Sequence, residues 1–160
     1  MLAAGGVPDK TFRSLSIFKS IYPSNFSAAG LKTRVAGNIG LPVIEVVDES
    51  TAGAWSVIEV SSFQLETTES FHPRIAVILN ITPDHLDRHG TFENYVAMKE
   101  KIFANQTAED FLVLNGDDPV VQQAASRARS QVFWFSRSKI VRRGAFLMNG
   151  MVMFRASEQA

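Results

Sequence analysis

RIAVILNI, residues 74–81, is a nearly continuous apolar run. A strand with one wet face alternates apolar and polar side chains. A run that does not alternate suits a strand buried on both faces, as in a parallel sheet covered by helices. Working outward, residues 55–60 (WSVIEV), 110–114 and 131–135 read as further strands, with a shorter β-like run at 32–36. Helical stretches are expected between them. One opens at Pro42 and runs through Val47, one follows Ser61 or Ser62 over 63–70, one begins at Thr82-Pro83, one covers 91–105, and one leads from Asn115-Gly116-Asp117-Asp118-Pro119 to about Ala128. Serine or threonine caps and first-turn prolines mark these starts. Strands alternating with helices imply βαβ units and a mostly parallel α/β sheet with helices on its faces. AFLMNGMVMF at 145–154 is an Asn-Gly hairpin. Residues 12–22 are expected to form a short amphipathic helix.

The chain has 160 residues, 46% of them hydrophobic, enough for one domain with a core. Sixteen basic residues balance sixteen acidic ones, so no general charge argues for nucleic acid or an anionic membrane. Cysteine is absent, which excludes disulfides and thiolate metal sites. No stretch is apolar for long enough to span a bilayer, and the first residues lack the ordered regions of a signal peptide. A cytoplasmic location is expected.

In such sheets ligands gather at the carboxyl ends of strands. Glu59 closes the 55–60 strand, where an ionised side chain is costly without a partner. His85 follows the 74–81 strand, in the first turn of a short helix, where it can ligate a metal or simply pack. Asp84 and Asp87 suit a helix N-terminus in any case. In TFENYVAMKEKIFAN the apolar positions Phe92, Tyr95, Val96, Ile102 and Phe103 form a stripe whose missing member is Lys99, with Lys101 facing out. A stripe lysine can snorkel to the rim. Alternatively, its desolvated amine is nucleophilic and can take up carbon dioxide as a carbamate. Glu59, His85 and Lys99, two of them at ends of strands expected to be adjacent, together suit magnesium or manganese and phosphoryl transfer.

EVSSFQLE (59–66), NITPDHLDRHGTFENYVAMKEKIF (80–103) and AGNIGLP (36–42) resemble the central ATPase domain of the Mur ligases, over about Ala28 to the C-terminus. SSFQLE resembles the D-glutamate-adding branch, whereas the lysine- or diaminopimelate-adding branch carries a histidine after the two serines. The resemblance implies a P-loop-type α/β fold in a three-domain protein of the cell wall pathway, with roles in cell shape and division. It implies ATP and Mg2+ as cofactors, and UDP-N-acetylmuramoyl-L-alanine and D-glutamate as substrates joined through an acyl phosphate. By motif, Glu59 and His85 would bind magnesium, Lys99 would be the carbamylated lysine, and Asn38, Ser61 and Gln64 would contact the precursor. Asp84, Asp87 and Arg88 complete the motif.

The family's phosphate loop, GTNGK[ST], has no counterpart. AGGVPDKT at 4–11 keeps Lys10 and Thr11 of G-x-x-x-x-G-K-[ST] but has Ala4 and Asp9 where glycines belong. Residues 1–27 are therefore expected to be an atypical leader, disordered or frame-shifted, and 28–160 a partial central domain, inactive alone and poorly soluble. The alternatives are a non-catalytic precursor-binding remnant, the lysine/diaminopimelate branch, or a relative of folylpolyglutamate synthase.

Overall fold

A computed structural model describes residues 13–17, 29–38, 40–47 and 53–157. Among the described residues eight strands form one sheet: β1 (Arg13–Ile17), β2 (Thr33–Gly37), β3 (Trp55–Glu59), β4 (Ile75–Ile78), β5 (Phe111–Asn115), β6 (Gln131–Ser136), β7 (Gly144–Met148) and β8 (Met151–Arg155). Their spatial order is β2-β3-β1-β4-β5-β6-β7-β8. Every pairing is parallel except β7 with β8, which closes the sheet as an antiparallel hairpin. Asn149 and Gly150 both take positive φ (51° and 77°), as a two-residue turn matched to strand twist requires.

The apolar run at 74–81 is explained by the two faces it serves. Ala76 and Ile78 join Ile58, Leu112 and Leu114 on one face, where Leu65, Ile102, Phe103, Val121 and Ala124 cover them. Val77 joins Val57 on the other, with Val35, Ile75, Leu79 and Val113 packed against it. The helices over the first face are α2 (Ser62–Glu66), α4 (Phe92–Glu100, continued as a 3-10 turn Lys101–Phe103) and α5 (Pro119–Ala124). Two further helices are α1 (Val43–Val47) and α3 (Leu86–His89). Among the described residues no helix is long and apolar enough to cross a membrane.

Four sequence expectations are corrected. Arg13–Ile17 lies in a strand, not a helix: it pairs with β3 along its whole length and with β4 over three residues, so inter-strand hydrogen bonds prevail over a weak local periodicity. Consequently β3 and β4 are not neighbours, since β1 separates them. Thr82 and Pro83 do not start a helix; α3 begins at Leu86, with His85 as its N-cap in a left-handed conformation (φ 51°, ψ 36°). The helix expected over 63–70 also ends early, at Glu66, where Thr67 and Thr68 turn their hydroxyls back onto the carbonyls of Gln64 and Leu65. The 4–11 stretch lies outside the described residues.

Candidate metal and substrate site

The site is built at the carboxyl edge of the sheet. Gly37 ends β2 opposite Glu59, the last residue of β3. Asn38 N–H donates to the Glu59 carbonyl at 2.8 Å, which continues the β2–β3 ladder past Gly37. This close approach needs glycine: a Cβ on Gly37 would stand 2.1 Å from the Glu59 carbonyl oxygen, and its φ is +119°. One carboxylate oxygen of Glu59, Oε2, is buried with no hydrogen-bond partner among the described residues. A buried acceptor left in that state is costly unless a cation or donor meets it.

Two residues on, Ser61 caps α2 in a reciprocal box. Its Oγ accepts from Gln64 N–H at 3.2 Å, and its own N–H donates to Gln64 Oε1 at 2.9 Å. Ser62, the next residue, is buried and meets His89 Nε2 at 3.1 Å. On the far side of the site, Ile81 N–H donates to Asp118 Oδ2 at 3.0 Å, which anchors the chain leaving β4. His85 then swings out in its left-handed conformation, its N–H donating to Asp84 Oδ1 at 2.9 Å. A non-glycine residue held there is a local outlier of the kind that clusters at binding sites. Arg88 is turned away, pairing with Glu66 at 3.0 Å.

Lys99 is 5% exposed. Burial pulls its pKa down to about 8, partly opposed by the negative charges of Asp84 and Glu59. Its Nζ lies 4.8 Å from the centre of the Tyr95 ring. An amine titrating near 8 exists in part as the neutral nucleophile at physiological pH, which an ordinary lysine does not. Lys101, in contrast, reaches outward to the Glu66 carbonyl at 2.8 Å.

A cavity of about 360 Å³ brings Asn38, Glu59, Ser61, Asp84, His85 and Lys99 together. Of the residues expected from sequence, Gln64 stands apart: it lines a neighbouring cavity of about 680 Å³ that shares Glu59 as a wall. Among the described residues, no three of His, Asp and Glu cluster closely enough to hold a metal by themselves. The donor types nevertheless suit a divalent cation: Glu59 offers an orphaned buried oxygen, His85 an imidazole nitrogen, and Lys99, if carbamylated, would add a second oxygen as the third donor. Sequence reasoning missed Tyr95 as the partner of Lys99, although it stood in the same stripe, and missed Ser62 and His89, whose pairing across 27 residues leaves no local signal.

The family model described as Mur ligase middle domain matches residues 32–148. A UDP-N-acetylmuramoylalanine--D-glutamate ligase of Acidobacterium capsulatum is 65% identical over 127 residues, covering 79% of this chain and 28% of that protein. The enzyme of the same name from Koribacter versatilis is 54% identical over 128 residues, 80% of this chain and 28% of its own length. The chain thus spans less than a third of these relatives. Among solved structures, the MurF ligase from Thermotoga maritima in complex with ADP superposes with a TM-score of 0.63 at 18% identity, over 92% of this chain and 39% of that one. A UDP-N-acetylmuramoyl-L-alanyl-D-glutamate--2,6-diaminopimelate ligase superposes with a TM-score of 0.60 at 19% identity, over 84% and 34% of the respective chains. At that identity the likeness is one of fold.

Proposed function

The chain belongs to the Mur ligase family as a middle domain, and from that premise we propose that it carries the cation- and precursor-binding part of a ligase that joins D-glutamate to UDP-N-acetylmuramoyl-L-alanine in peptidoglycan synthesis. The observation that carries this reading is the single cavity walled by a buried lysine and a carboxylate with an orphaned buried oxygen. The branch is supported by the relatives of 65% and 54% identity, both named as D-glutamate ligases.

Glu59 and His85 are the protein's own cation ligands in this reading. The neutral fraction of Lys99 attacks carbon dioxide: its nitrogen lone pair forms the N–C bond as one C=O π pair moves onto oxygen, an N–H bond gives its proton to solvent, and the side chain becomes an anionic carbamate. Magnesium there would neutralise charge on the nucleotide phosphates and on the acyl phosphate. Asn38 and Ser61 face the same space and orient the precursor. Gln64 spends its side-chain oxygen on the capping box, so the donor it offers is its amide nitrogen. ATP is the phosphoryl donor by family, and the ADP complex of the Thermotoga maritima protein supports a nucleotide on this fold.

This sequence contains no G-x-x-x-x-G-K-[ST] stretch. The nest of backbone N–H groups that cradles nucleotide phosphates therefore has no recognisable source in it. That favours a second reading for the chain by itself, a domain that binds cation and precursor without turnover.

The test is a titration with Mn2+ as a spectroscopic substitute for Mg2+, on wild type and Glu59→Gln. One bound ion, with affinity reduced about 10–100-fold or more in the variant, is expected. Equal affinity in both proteins would reject the site. With ATP, the precursor and D-glutamate added, no phosphate release is expected. Release that depends on both substrates would reject the second reading and leave the first.

A further inference from the structure

The motif DHLDRHG holds two histidines, and the cation site uses the first. His89 is the last residue of α3, 9% exposed, and its N–H closes a helical turn on the His85 carbonyl at 3.1 Å. Its ring is the centre of an aromatic cluster. It stacks on Phe63, with ring centres 5.5 Å apart and planes 11° from parallel, and Phe63 in turn lies 4.9 Å from the His85 ring. On its other side His89 is 5.3 Å from Tyr95, the ring that lies 4.8 Å from Lys99 Nζ. Ser62 Oγ meets His89 Nε2 at 3.1 Å, and Asn94 Nδ2 donates to its carbonyl at 3.0 Å, so both ring and backbone are held.

We propose that His89 is a positioning residue for the cation site, a ring that orients His85 through Phe63 and Lys99 through Tyr95. The inference rests on the reading of Glu59, His85 and Lys99 as that site. His85 sits in a left-handed conformation with its side chain about half exposed; its Nε2 lies 3.5 Å from Asp84 Oδ2, and Phe63 is the ring packed against it. Lys99 needs support because an amine is placed for carbon dioxide and cation only if the surface beneath it stays put. Partners that orient metal ligands commonly change metal affinity about 10–100-fold when removed.

The experiment compares His89→Phe with His89→Leu. Both fill the site with an apolar side chain and both remove the bond to Ser62, so their difference isolates the ring. Mn2+ affinity of His89→Phe is expected within about threefold of wild type, and that of His89→Leu to fall about tenfold or more. Equal affinities overturn the proposal. Phe63→Leu, at a partly exposed position, covers the case in which His89→Leu does not fold: it should show the same loss, and unchanged affinity overturns the proposal. If wild type binds no Mn2+, the site reading fails, and the proposal is judged by the nuclear Overhauser contact between the Phe63 and His85 rings. Its presence in wild type and His89→Phe and its loss in His89→Leu support the positioning role. Its persistence in all three overturns it.

Discussion

Glu59 is costly where it stands, and the residues around it explain why the chain keeps it there. Gly37 lets β2 end against the Glu59 backbone. Gly37→Ala would place a Cβ against the Glu59 carbonyl and force a non-glycine residue to φ +119°. The backbone conformation alone costs about 1–3 kcal/mol. Urea denaturation should show at least that loss, together with weakened Mn2+ binding; a variant as stable as wild type would contradict the close approach. Lys99 was legible in the sequence because the arithmetic of a helical stripe exposes an intruder. His85 was legible by type but not by conformation, since a left-handed histidine leaves no periodic trace.

At the scale of elements, the turn from β5 into α5 shows how the edge of the sheet is tied down. Asp118 caps α5, accepting from Val120 and Val121, and also holds Ile81. Asp117 accepts from the Ser136 and Ser138 hydroxyls and from the Arg137 N–H, each at 2.6 Å, which binds the end of β6 to the end of β5. The Ser136 bond, followed by those of Ser138 and Arg137, holds the Asp117 pKa down to about 2, from an ordinary 3.8. Because the folded value is the lower one, the stabilisation is present above about pH 4 and is lost as pH falls from about 4 through 2. Asp117→Asn should therefore cost about 1–2 kcal/mol at pH 7 by thermal or urea unfolding, and the gap to wild type should close towards pH 2. A gap independent of pH would show that the charge is not what holds the turn. The turn itself was legible from Asn-Gly-Asp-Asp-Pro. The C-terminal end of α2 and the start of α3 were not, because the Thr67 and Thr68 hydroxyls and the Asp84–His85 turn settle them through side-chain bonds to the backbone.

For the whole molecule, the parallel sheet followed from apolar runs alternating with helices, and such sheets collect polar residues at one edge; Glu59, His85 and Lys99 line one cavity there, although the strands expected to be adjacent are separated by β1. The strand order did not follow. β1 is a short serine-containing strand whose place between β3 and β4 is set by pairing on both sides, information no local pattern holds. The distinction of branch came from SSFQLE and is matched by the high-identity relatives, whereas the solved structures at 18–19% identity speak for the fold. The central claim is that a buried lysine becomes the third donor of a cation site, through a carbamate oxygen. It is tested most directly by NMR of the chain in 13C-bicarbonate with Mg2+ present. A carbamate carbon resonance that disappears in Lys99→Met is the predicted result. No such resonance in wild type, or one that persists unchanged in Lys99→Met, would contradict the account.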